Sequence, residues 1–260
     1  MRTALPENPG SLFEEVVELR PARLPRRKRR GITIGGLMLA VAGSALLAHH
    51  AVVGIHTERK KSCSEHLNQI GIALLKYHDA HGQFPAAAIT DRGKRPLLSW
   101  RVAILPELGY GDLYDQFHLD EPWDSPHNLP LIAEMPKVFA CPSEPRRSGV
   151  TPYEVIAGPD GAFSGPKPLF DKARGVDIRE VLDGTSNTLM VVETGRPTYW
   201  TQPTALDFAE HKPTPHFSSR HPNGFNALFA DGSTRFLSAK LSDEFRRILI
   251  TRDGGEVTGG

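Results

Sequence analysis

From Gly31 to Ile55 the chain carries no Asp, Glu, Lys or Arg. Just past it a helical stripe takes over, with Cys63, Leu67, Ile70, Leu74 and Tyr77 recurring at spacings of 4, 3, 4 and 3. Apolar residues so spaced share one face of an α-helix. Gly82 supplies a stop signal and Pro85 lies just beyond it. The pattern therefore predicts one nearly continuous helix over 31–81, with Leu67, Ile70 and Leu74 turned into a core. A shorter helix is expected near the start, where Ser11 and Glu14 have the spacing of a capping box.

Beyond Pro85 the texture changes to short apolar runs broken by Gly, Pro, Asp and Asn. Residues 98–105 and 187–194 read as strands. Residues 225–230 and 233–237 flank Asp231-Gly232, and Asp-Gly between two β-prone runs predicts a hairpin closed by a type I′ turn. Alternation along the first of these runs puts Phe225, Ala227 and Phe229 on one face and Leu228 and Ala230 on the other. Residues 241–251 read as a closing helix capped near Ser242.

Charge divides the chain unevenly. Residues 1–55 hold 8 Lys/Arg against 4 Asp/Glu, a balance of +4, and the remainder holds 23 against 26, a balance of −3. A mildly acidic body is a poor surface for nucleic acid. Seven of the basic residues lie between Arg20 and Arg30, directly before the uncharged run, and only Arg59, Lys60 and Lys61 follow it closely. Twenty-five helical residues reach about 37 Å, enough for a hydrocarbon core of about 30 Å. The expectation is a cytoplasmic segment over 1–30, a transmembrane helix over 31–55 and an extracytoplasmic head over 56–260. The charge bias places the N-terminus inside a single-pass cytoplasmic (inner) membrane protein and the head in the periplasm or outside.

Several chemical signals are weak on inspection. His211, His216 and His221 recur every five residues with Asp207 and Asp231 nearby, but Pro213, Pro215 and Pro222 remove any helical geometry that would gather them on a metal. No hydrolase nucleophile elbow or phosphate-binding glycine loop occurs, and residues 183–187 read equally as a polar loop feeding a strand. Asp112, Asp115, Asp120, Glu121 and Asp124 offer oxygens to calcium without EF-hand spacing. Trp100, Trp123 and Trp200 could line a groove or fill a core. The two cysteines, Cys63 and Cys141, allow either a bridge or two separately buried thiols. A bridge would close a loop worth about 4–5 kcal/mol in the chain-entropy model.

His221, nine residues, then Asp231-Gly232 resembles the C-terminal signature of the bacterial prepilin-like H-X9-DG family, a domain of unknown function. The blocks at 63–87, 98–128, 139–144, 183–194 and 250–257 resemble further family blocks in the same order. The resemblance implies an α+β chain: a long N-terminal transmembrane and spine helix with a pilin-like antiparallel β-sheet head, like that of pseudopilins. It also implies pairing of Cys63 with Cys141. Gly31-Ile32-Thr33-Ile34 is similar to a prepilin cleavage region, but Gly36 stands where prepilins carry Glu, so an uncleaved anchor is expected.

These readings favour a membrane-anchored structural or interaction protein, with the membrane and like pseudopilin-type subunits as partners and no nucleic acid. The alternative is an extracytoplasmic ligand- or solute-binding module, since relatives have carried a solute-binding label. No enzyme activity, metal or cofactor is expected. His221, Asp231 and Gly232 are expected to be structural, with His221 hydrogen-bonding a carbonyl or carboxylate and Gly232 taking a positive φ.

Overall fold

The structure is a computed structural model that describes residues 34–144, 148–158, 167–209 and 212–255, with side chains from Val52 onward. The expected helix near Ser11, the basic run, the cleavage-like Gly31-Ile32-Thr33 and His211 lie outside the described residues. The chain divides into two units, residues 1–47 and 48–260. Helix α1 spans Ile34–His81 and contributes its residues from Ala48 onward to the second unit. It ends where Gly82 takes a φ of 73° and donates its N–H to the His78 carbonyl at 2.7 Å. Leu67, Ile70 and Leu74 are fully buried, as their spacing requires. Among the described residues no helix is long and apolar enough to cross a membrane.

The second unit continues with a two-stranded sheet of β1 (Ala88–Thr90) and β2 (Pro96–Ser99), then the short helices α2 (Trp100–Ala103) and α3 (Gly111–Tyr114). The main sheet takes β3 (Val150–Gly158), β4 (Phe170–Asp171), β5 (Leu189–Tyr199), β6 (Leu206–Asp207), β7 (Gly224–Phe229) and β8 (Thr234–Ser238). Its order is β4-β3-β5-β7-β8, with β6 also on β3. Helix α4 (Asp243–Ile250) closes the unit, capped by Ser242, whose hydroxyl accepts the Phe245 N–H at 3.1 Å. The fold is α+β, but the expected all-antiparallel head is corrected: β4 and β6 both pair with β3 in parallel. The long β3–β5–β7–β8 run is antiparallel.

One further expectation changes, and one strand was not expected. The strand expected over 98–105 stops at Ser99, whose hydroxyl accepts the Arg101 N–H and starts α2. Arg101 then turns inward, fully buried, and pairs with Glu154 of β3 at 3.0 Å. Burial pushes its guanidinium below the ordinary value, and the Glu154 carboxylate opposes that shift. The central strand β3 was hidden in the sequence by Pro152 and Glu154. The proline sits where pairing with β5 shifts register between Thr151 and Tyr153, a position where a missing N–H is tolerated.

The centre of the sheet, made of β3, β7 and the first half of β5, is buried on both faces. One core joins Leu67, Ile70 and Leu74 of α1 to Tyr153, Val155, Val191 and Leu228. The other gathers Phe225, Ala227 and Phe229 with Leu249 and Ile250 of α4. The alternation read along β7 therefore holds residue by residue. Trp100 and Trp200 are core, with Phe139 stacked on Trp200 at 5.8 Å, whereas Trp123 is half-buried against Tyr199. Leu74→Ala should destabilise the folded chain by about 2–5 kcal/mol, the range for emptying a buried leucine site. Urea unfolding followed by tryptophan fluorescence measures it, and a loss under about 1 kcal/mol would show that α1 is not part of this core.

Candidate functional site

The site forms where β5 and β7 pass under α1. In β5 the pairing with β7 shifts between Leu189 and Val191, which turns both Met190 and Val191 toward the α1 side. Strict alternation from Val191 then puts Val192 in the opposite core and aims Glu193 at the helix. Glu193 is fully buried. Such a carboxylate needs partners, because leaving an acceptor dry costs about 1–3 kcal/mol and more when it is charged.

The partners come from β7 and from the segment before it. The Asn226 backbone N–H donates to Glu193 Oε2 at 2.7 Å, and the Asn226 side-chain nitrogen lies 3.3 Å from each carboxylate oxygen. His221 Nε2 lies 3.2 Å from Glu193 Oε1, with both side chains fully buried. The other ring nitrogen of His221 is 3.5 Å from the Ser143 hydroxyl. Tyr153 closes the floor by donating its hydroxyl to the Cys63 carbonyl at 3.5 Å. Burial pushes the Tyr153 phenol well above its ordinary value, and the negative charge of Glu193 adds to the rise.

The Cys63–Cys141 disulfide roofs this polar knot, with Cα atoms 5.5 Å apart. Cys141 Sγ lies 3.9 Å from His221 Nε2 and 3.9 Å from Glu193 Oε1. Further bonds fasten α1 on either side. His66 Nδ1 meets the Ala140 carbonyl at 2.7 Å, Ser64 and Thr234 hydroxyls meet at 2.9 Å, and the Asn226 amide reaches the Lys60 carbonyl at 3.4 Å.

Of the residues singled out in the sequence, Cys63, Cys141 and His221 converge here. Asp231 and Gly232 do not join them. They form the tip of the β7–β8 hairpin, and the turn is not type I′: of the two, Gly232 alone has positive φ, at 83°. Gly232 N–H donates to the Phe229 carbonyl and Phe229 N–H to the Ser233 carbonyl, both at 2.9 Å, which makes a three-residue loop closed by a left-handed glycine. Asp231 accepts the Ser233 N–H at 2.8 Å and donates its own N–H to the Thr185 carbonyl at 3.1 Å.

The other signals disperse. Asp183, in the polar loop before β5, accepts the N–H groups of Gly254 and Gly255 at 2.7 and 2.8 Å, so that loop fastens the C-terminal segment. Asp207 pairs with Lys172. Among the described residues the convergent group with metal-ligating atoms is Cys63, Cys141, Glu193 and His221, all buried, with those atoms within 4.8 Å of one another. The acidic residues of 112–124 form no such group. Glu193 and Asn226 are the site residues that sequence reasoning missed. Their signal is a lone acid and a lone amide inside runs otherwise apolar enough for a core.

Gly232 faces the helix at close range. A Cβ built there would lie 3.1 Å from Leu75 Cδ1, and one built on Gly71 of α1 would lie 2.7 Å from Leu228 Cδ1. Gly232→Val should therefore destabilise by about 1–2 kcal/mol from its backbone conformation alone. Thermal unfolding beside a Ser233→Ala control reads this directly, and an unchanged melting temperature for Gly232→Val would remove the glycine requirement.

Residues 57–216 match the model of a family described as "Protein of unknown function (DUF1559)", whose short label, SBP_bac_10, hints at solute binding. The match ends before His221, so the His221-to-Gly232 signature lies outside it. No curated protein and no solved structure matches the chain. Because the family model takes in more than half of the chain, including both cysteines and Glu193, the protein belongs to the DUF1559 family.

Proposed function

We propose that this chain is a membrane-anchored, extracytoplasmic protein of the prepilin-like H-X9-DG type, with a structural or interaction role and no catalytic one. Residues 31–55 are its anchor in the cytoplasmic membrane, 1–30 its cytoplasmic segment, and the head stands outside. Its partners are the membrane and like pseudopilin-type subunits, and nucleic acid is not among them.

One observation carries the structural role. The motif side chains and turn are occupied by bonds within the head: His221 with Glu193, Asp231 with Ser233, and Gly232 with Phe229. They tie the segment before β7 to β5 and close the β7–β8 hairpin, and these side chains present no exposed nucleophile and base. The uncharged stretch of 31–55, with seven basic residues before it and three after, supports the anchor and its orientation. A buried disulfide fits an oxidising compartment.

A second reading, solute binding, has its own support in a groove of about 550 Å³ beside β5, lined by Glu154, Thr194, Arg196, Thr198, His216 and Ser218. Small-molecule sites fall within about 300–1,000 Å³. The family's short label points the same way.

Protease added to spheroplasts should digest residues 56–260 and spare 1–30, as read by antibodies to each end. Protection of the head would overturn the topology. In a thermal-shift screen, a solute that raises the melting temperature of the wild type and not of Arg196→Ala would favour the binding reading.

A further inference from the structure

We propose that reduction of the Cys63–Cys141 disulfide converts the buried knot beneath it into a tetrahedral zinc site, with Cys63 Sγ, Cys141 Sγ, His221 Nε2 and Glu193 Oε1 as the four ligands. This goes beyond the proposed role and does not rest on it.

The donor set is already assembled. A zinc ion bound at about 2.0–2.3 Å by two thiolates, an imidazole and a carboxylate needs ligand-to-ligand edges of about 3.3–3.8 Å. The structure holds His221 Nε2 and Glu193 Oε1 at 3.2 Å, and Cys141 Sγ at 3.9 Å from each. The other three edges belong to Cys63 Sγ: it lies within 4.8 Å of His221 Nε2 and of Glu193 Oε1, and it is joined to Cys141 Sγ. On reduction the two sulfurs must part to about 3.8 Å. Their Cα atoms are 5.5 Å apart, so side-chain rotation supplies that movement. Soft sulfur and imidazole donors in a tetrahedral set select zinc over magnesium or calcium.

The surroundings suit the exchange. Glu193 Oε2 is held by the Asn226 N–H at 2.7 Å, and Oε1, which meets His221 and shares the Asn226 amide at 3.3 Å, is the oxygen that turns to a metal. With Nε2 giving its lone pair to zinc, the His221 ring proton sits on Nδ1, which can donate it in a hydrogen bond to the Ser143 hydroxyl 3.5 Å away. Outer partners of this kind orient metal ligands. All four ligating residues are buried, which is the closed arrangement of a structural site.

The chemistry balances with a dithiol as reductant. Its two thiols reduce the protein disulfide to two cysteine thiols and close into a disulfide of their own. Zinc then displaces the two cysteine protons to solvent, and the spine stays stapled to β5 and to the segments that carry Cys141 and His221. In the oxidised chain both sulfurs are bonded to each other and the site is closed to the ion.

The test uses the full chain in detergent, oxidised or reduced under anaerobic conditions, freed of reductant and then titrated with zinc chloride or cobalt chloride. The reduced chain should take up one equivalent of zinc more than the oxidised chain. Cobalt should give a thiolate charge-transfer band and the visible bands of tetrahedral coordination in the reduced chain only. His221→Ala and Glu193→Gln should each weaken the reduced-state affinity at least tenfold, while Cys63 and Cys141 still form the disulfide on reoxidation. Equal uptake by oxidised and reduced chains, or variants that bind as the wild type does, would overturn the proposal. Should reduction alone unfold the head, zinc present during reduction must preserve the native circular dichroism, and failure to do so would overturn it too.

Discussion

A buried carboxylate organises the head. Glu193 lies on the face of the sheet that meets α1, fully removed from solvent. Desolvating a carboxylate is unfavourable by several kcal/mol unless donors replace the lost water. The donors it meets are a backbone N–H, an amide and an imidazole, supplied by Asn226 and His221. Satisfying Glu193 therefore fixes the register of β7, the path of the chain entering it and the orientation of the His221 ring. The same Asn226 amide touches the Lys60 carbonyl, so the network reaches the helix as well. The disulfide then locks the helix above it by constraining the unfolded chain, an effect of about 4–5 kcal/mol for a loop of this length.

Close packing along the helix adds a second constraint. Gly71 and Gly232 let α1 and the hairpin tip approach until there is no room for a side chain without displacing Leu228 or Leu75. The polar knot and the glycine contact lie on the same face of α1, roughly two turns apart at 3.6 residues per turn. Together they make the His221-to-Gly232 segment a clamp on the spine: its first residue engages the knot and its last engages the helix. That division explains why Asp231 and Gly232 stand away from the cysteines although they belong to one sequence signature.

What was legible in the sequence follows from the range of each interaction. The helical stripe of Leu67, Ile70 and Leu74, the alternation of Phe225, Ala227 and Phe229 and the Ser242 cap depend on neighbours along the chain, and each reads correctly. The type I′ turn failed because hairpin length is set by cross-strand pairing: Phe229 pairs with Ser233, which draws Ala230 into the loop and leaves positive φ to Gly232. Strand β3 escaped notice because Glu154 interrupts its apolar pattern, and its partner Arg101 lies far back in the chain. Glu193 was missed for the same reason. An acid in an apolar strand gains its meaning only from His221 and Asn226, which the fold brings to it from a distant segment. The Cys63–Cys141 pairing rested on the expected extracytoplasmic place of both cysteines and on the family-like blocks, since two cysteines in a sequence do not reveal their separation in space.

The central claim is that Glu193 and His221 act as one unit in fastening the hairpin, and the segment entering it, to β5 beneath the spine. A double-mutant cycle in the oxidised chain, with Glu193→Gln, His221→Ala and the pair together, measures this by chemical denaturation. The account predicts a coupling of about 1–3 kcal/mol, the double variant losing less stability than the two single losses combined. Losses that add to within about 0.5 kcal/mol would show that the two side chains stabilise the head independently, and would contradict it.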